Sequence, residues 1–179
     1  AAVLGIGGYA GGTVGGALTR RYHGLLVAPL HPPLGRTLLL AKADAELIDG
    51  ETCTPLHSNT WRGGIVAPQG HRYIDRFCLD GQIPVWSFVV GDLRIEQRIW
   101  MDHGCNQTRV AFRWHGGERT AAPVVRLGLI ASCRDHHSVN QQPGLGTRAR
   151  IVLVILVADY DFVEPASPGN DQRATARAA

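Results

Sequence analysis

The run Thr19-Arg20-Arg21-Tyr22-His23 sets two guanidiniums, a phenol and an imidazole side by side. Arginine offers a planar fork of donors that suits carboxylates, phosphates and sugar hydroxyls. A second polar run, Arg134-Asp135-His136-His137 with Asn140 beyond it, puts two imidazoles beside a carboxylate, a combination that could bind a metal. Adjacent histidines on a strand point to opposite faces and chelate poorly unless they lie in a loop. His31, His57, His71 and His103 are scattered with no i, i+4 pattern, so no metal site is expected. A hydrolase needs a carboxylate pair, or a nucleophile with its base. Asp44, Glu46, Asp49, Glu51, Asp75, Asp80, Asp102 and Asp135 are available, but no spacing pairs two of them across an opening, and there is no G-x-S-x-G. These residues name no catalytic group. The other use of the Thr19–His23 run is structural, as a network tying a turn to a sheet or to a neighbouring domain.

The glycines before this run raise a different chemistry. Gly5-Ile6-Gly7-Gly8-Tyr9-Ala10 fits G-x-G-x-x-A, a form of the dinucleotide fingerprint. That loop needs a strand before it, a helix after it and an acidic residue about 20 positions on. Gly11, Gly12, Gly15 and Gly16 would fall in the first turns of the helix, at about 1 kcal/mol each relative to alanine. Gly24–Leu34 contains no carboxylate. The expected role is a turn where backbone approaches backbone, with no cofactor.

Strands must position these residues. Leu93–Met101 alternates Leu93, Ile95, Ile99 and Met101 on one face with Arg94, Glu96, Arg98 and Trp100 on the other. Val85–Val90 precedes it, and Gly91-Asp92 makes a two-residue turn between them. Thr108–Trp114 alternates likewise, and Val124–Ser132 reads as a further strand. Gly24–Leu30, Arg36–Leu40, Ala45–Ile48, Tyr73–Leu79 and Ile151–Val157 complete the set. Strands at this spacing, with Gly and Pro turns and no helical stripe, predict an all-β, antiparallel β-sandwich over residues 1–158. Residues 159–179 form a divergent tail, expected to be disordered because Pro165–Ala179 is nearly devoid of large apolar groups.

The 179 residues are 45% hydrophobic, enough to bury a core, and the net charge of +3 is spread along the chain. The lack of a basic run argues against a nucleic-acid partner. Ile151–Val157 is too short to cross a bilayer, and no membrane partner is expected. Cys53, Cys78, Cys105 and Cys133 include no C-x-x-C pair, and read as reduced thiols in a cytoplasmic protein.

Longer stretches carry a family pattern. They are "GIGGYAGGTVGGALTRRYHGLLVAPLHPPLGRTLLLAKADAELI", "GGIVAPQGHRYIDRFCLD", "PVWSFVVGDLRIEQRIWMDHGCNQTRVAFRW" and "LIASCRDHHS". Over roughly residues 4–140 the chain resembles the N-terminal domain of the bacterial and archaeal type of glycogen debranching enzyme, an amylo-α-1,6-glucosidase. The resemblance implies a glucoamylase-like β-sandwich followed by a separate (α/α)₆ barrel that hydrolyses the α-1,6 branch linkage and owns the catalytic carboxylates. It implies no catalytic residue here. It marks Tyr9, Thr13, Arg20, Arg21, Tyr22, His23 and Gly24 as a conformational and interface element. Arg134 and Asp135 match an R-D-x-H step near the end of the sandwich. The likeness fades after about Asn140, which leads us to expect a sandwich truncated at its C-terminal end. The partners implied are that barrel, in cis or from a neighbouring reading frame, and an α-glucan such as glycogen. A different reading is a free-standing carbohydrate-binding module with Trp61, Trp86, Trp100 and Trp114 as candidate sugar platforms; Trp86 and Trp114 lie in strands and are expected in the core.

Overall fold

A computed structural model of the chain describes residues 2–3, 7–32, 34–116, 122–138 and 153–157. The strands are β1 (Ala2–Val3), β2 (Tyr9–Gly11), β3 (Gly24–His31), β4 (Leu34–Asp49), β5 (Thr52–Pro55), β6 (Ser58–Thr60) and β7 (Val66–Gln69). A single 3₁₀ turn (Gly70–Tyr73) leads to β8 (Ile74–Asp80), β9 (Ile83–Val90), β10 (Leu93–Met101), β11 (Thr108–His115), β12 (Val124–Asp135) and β13 (Leu153–Val157). No α-helix occurs among the described residues. The first sheet runs β1-β2-β3-β4-β12, with β5 also on β4; the second runs β13-β11-β10-β9-β8; β6 and β7 form a separate ribbon. Pairing is antiparallel throughout, except that β13 lies parallel to β11.

The expected all-β, antiparallel sandwich is what forms. Ala45 and Leu47 of the first sheet meet Phe88, Leu93, Ile95, Val110 and Phe112 of the second in one buried cluster. Each fully buried side chain of this size contributes about 1.5–3 kcal/mol, so two apolar faces meeting hold the layers together. The Thr108 hydroxyl also crosses between the sheets to the Leu25 carbonyl at 2.7 Å. The Gly91-Asp92 turn is as expected: Val90 pairs with Leu93, and Gly91 takes a φ of 61°, which a Cβ would oppose. Trp86 and Trp114 are half-buried against the core cluster. Trp100, on the charged face of β10, is nonetheless buried.

One expectation needs correction. Arg36–Leu40 and Ala45–Ile48 are parts of one 16-residue strand, β4. The intervening Ala-Lys-Ala-Asp reads as a break because it is small and charged. Yet β12 pairs along β4 from Ile48 to Thr37, passing two register shifts, and holds it extended. β3 begins at Gly24, and Arg20–His23 is a turn closed by the His23 N–H on the Arg20 carbonyl at 3.0 Å.

The pairing of β4 is interrupted on one edge. On its side away from β12 it pairs with β3 as far as Leu40 and with β5 from Glu46 onward. Residues 41–45 have no strand neighbour on that side.

Candidate functional site

The two polar runs, far apart in sequence, meet. The Arg21 guanidinium donates to the His137 carbonyl at 2.9 Å, and its Cζ sits 5.3 Å from the centre of the Tyr22 ring. The Tyr22 hydroxyl contacts His137 Nδ1 at 3.2 Å. Arg134 answers in the other direction, donating to the Arg21 carbonyl at 2.5 Å and the Ser138 carbonyl at 2.7 Å. Asp135 Oδ1 accepts the His137 N–H at 2.8 Å and shapes the turn after β12. Tyr9 closes the junction by donating its hydroxyl to the Tyr22 carbonyl at 3.0 Å. Burial holds the Tyr9 phenol above its ordinary range, so it serves as a neutral donor. His136 and His137 do lie in a turn, with ring centres 3.8 Å apart, and Tyr22 packs against both. No group of three or more metal-ligating side chains occurs among the described residues.

Not every expected residue joins this junction. Thr13 lies in the glycine segment, its hydroxyl on the Ala17 carbonyl at 2.7 Å. His23 accepts the Thr19 N–H at 3.2 Å through Nδ1. Arg20 is exposed beside it. Burial first, and the Arg20 charge second, hold the His23 imidazole below its ordinary value. Between that lowered value and about 6.5, the unfolded chain binds more protons than the folded one, so stability rises with pH. We expect the urea midpoint to fall as pH drops below about 6.5 and this slope to flatten in His23→Gln; an unchanged slope refutes the assignment.

Gly24 follows the run because nothing larger fits: a Cβ there would collide with the Leu38 side chain and press on Val27. The upstream glycines do not form a phosphate loop. Tyr9–Gly11 is a strand paired with β3, and Thr13–Gly16 is a turn closed by the Gly16 N–H on the Thr13 carbonyl at 3.1 Å. The segment crosses to the second sheet, where the Trp86 indole N–H donates to the Val14 carbonyl at 2.9 Å.

Beneath this segment lies a cleft of about 400 Å³ at the unpaired stretch of β4. Its walls include Gly12, Leu25, His57, Phe77, Trp86 and Gln97. Next to it is a buried polar group that sequence reasoning passed over. Lys42 is 8% exposed, with Nζ on the Ser58 carbonyl at 2.6 Å and Asn59 Oδ1 at 2.8 Å. Asp44 Oδ1 is 2.8 Å from the same ammonium, at an angle that leaves the contact electrostatic rather than a hydrogen bond. Asn59 donates to Asp44 Oδ2 at 2.9 Å. His57 Nδ1 faces the Ala45 carbonyl at 3.0 Å and therefore carries a proton, leaving Nε2 at 3.6 Å from Asp44. The only sequence signal was a lysine and an aspartate two apart between the apolar run Leu38–Ala41 and Ala45, which fits a surface face equally well.

Fold and site together define a β-sandwich module in which Tyr9, Arg21, Arg36 and Arg134 bind its own main-chain carbonyls, with a cleft beside them. The chain matches the family model described as glycogen debranching enzyme N terminal over residues 4–170, and it belongs to that family. The match runs past Asn140, where the recognisable motifs end, so the likeness extends further than those motifs suggest. No curated protein and no solved structure matches the chain.

Proposed function

We propose that the chain is the non-catalytic β-sandwich of a glycogen debranching enzyme, an amylo-α-1,6-glucosidase, and that it packs against and supports an (α/α)₆ catalytic barrel in cytoplasmic glycogen breakdown. The barrel comes in cis or from a neighbouring reading frame. The observation that carries this reading is the joined polar junction in a chain of this family. Arg21, Arg36 and Arg134 meet there with His136, His137 and the Asp135 carboxylate, while Arg20 and His23 lie in the adjoining turn. Such a surface favours a partner rich in carboxylates. The hydrogen bonds that hold Arg21 and Tyr22 in place keep the patch rigid, which lowers the entropy lost on docking.

The test is co-purification of this chain with the (α/α)₆ domain of a debranching enzyme. Arg21→Ala loses both the His137 contact and the ring contact, and association is expected to weaken at least tenfold, more so at low salt. Equal association by the variant would refute the docking role of this end.

A further inference from the structure

We infer that the cleft beneath the glycine segment binds a short stretch of α-glucan, a deepening that rests on the debranching-enzyme reading. Its volume of about 400 Å³ lies within the range of small-molecule sites. The chemistry of its wall selects the ligand. Lys42 is the cationic side chain on that wall, and Asp44 neutralises it from within the fold, so the cleft presents no free charge to an ion. Phe77 and Trp86 stand together, ring centres 5.0 Å apart and tilted by 56°, and supply an apolar aromatic surface. The Trp86 indole N–H is committed to Val14, which fixes the ring. The side-chain amides of Gln82 and Gln97 also line the cleft and make no hydrogen bond to other described residues. Each amide can both donate and accept. A neutral ligand with an apolar face and a hydroxyl edge meets all three features, and a sugar ring is such a ligand. Within this family the sugar is an α-linked glucose chain.

Glycine gives the cleft its opening. A Cβ on Gly12 would meet nothing within 4 Å, and no positive φ forbids a side chain there. Gly12 is an exposed wall position with no steric bar to a side chain, where a large residue is expected to narrow the cleft without disturbing the backbone.

Calorimetric titration of the full chain with maltoheptaose tests this. Saturable binding is expected, at least tenfold weaker in Gly12→Trp and in Phe77→Ala, and at least tenfold weaker for cellohexaose. Trp61→Ala, an exposed aromatic on the β6–β7 loop, is expected to bind as the natural chain does. No saturable binding, or binding unaffected by both cleft variants, overturns the inference. Loss in Trp61→Ala alone overturns it in favour of a surface platform, and equal affinity for the β-linked sugar overturns the α-glucan assignment. The barrel-docking reading is tested separately by Arg21→Ala association, so it stands or falls on its own.

Discussion

Gly70→Ala is expected to be the most damaging glycine-to-alanine change among the described residues. Gly70 is buried in the 3₁₀ turn before β8, and its N–H donates to the His57 carbonyl at 2.9 Å. An added Cβ would lie closer than 3.0 Å to Leu56 C and to His57 N and O. All three are backbone atoms, so no rotamer change relieves the clash. The 3₁₀ turn and the Leu56–His57 segment must separate, breaking the bond that joins them and moving a wall of the cleft. We expect a loss of about 3–5 kcal/mol, at the upper end for single substitutions. For a chain of this length that is a fall in Tm of about 6–20 °C. Thermal unfolding monitored by circular dichroism measures it. Gly12→Ala, which meets open space, is the matched control and is expected to stay near the parent. A Gly70→Ala chain as stable as that control would show that the two segments are not packed as described.

Lys42→Ala is expected to cost a similar amount for an electrostatic reason. Lys42 and Asp44 are both largely buried, and removing the ammonium strands the carboxylate among neutral groups. Breaking one side of such a pair costs about 3–5 kcal/mol, far more than the pair's net worth. Adding Asp44→Asn should therefore recover a substantial part of the loss, because a neutral amide needs no counter-charge. Chemical denaturation of the two single variants and the double variant gives the coupling. If the double variant is no more stable than Lys42→Ala, the lost contacts to Ser58 and Asn59 carry the effect, and the charge does not.

Local pattern carried most of the fold. Period-two alternation is written into β9, β10 and β11, and the Gly91 turn between β9 and β10 is a local steric fact, so both could be read from residue order. The family motifs also mark Arg21, Tyr22 and Arg134. Failures came where a strand breaks its own pattern. Lys42 and Asp44 made β4 look like two pieces, because their cost is offset by Ser58, Asn59 and His57, which belong to a later segment.

Residue order alone therefore determined the class of fold, the principal strands and the identity of the two polar runs. Tertiary pairing decided that the runs are one structure. β3 and β12 flank β4 on opposite sides, which brings Arg21 to His137 across 116 positions and Arg134 back to Arg21 across 113. It also decided that β3 and β5 leave residues 41–45 without a strand partner on one edge, with a cleft beside them. The physical reason is that side-chain alternation depends on neighbours two residues apart. Which strand lies beside which depends on burying two whole sheet faces at once, and no short window of the chain contains that choice.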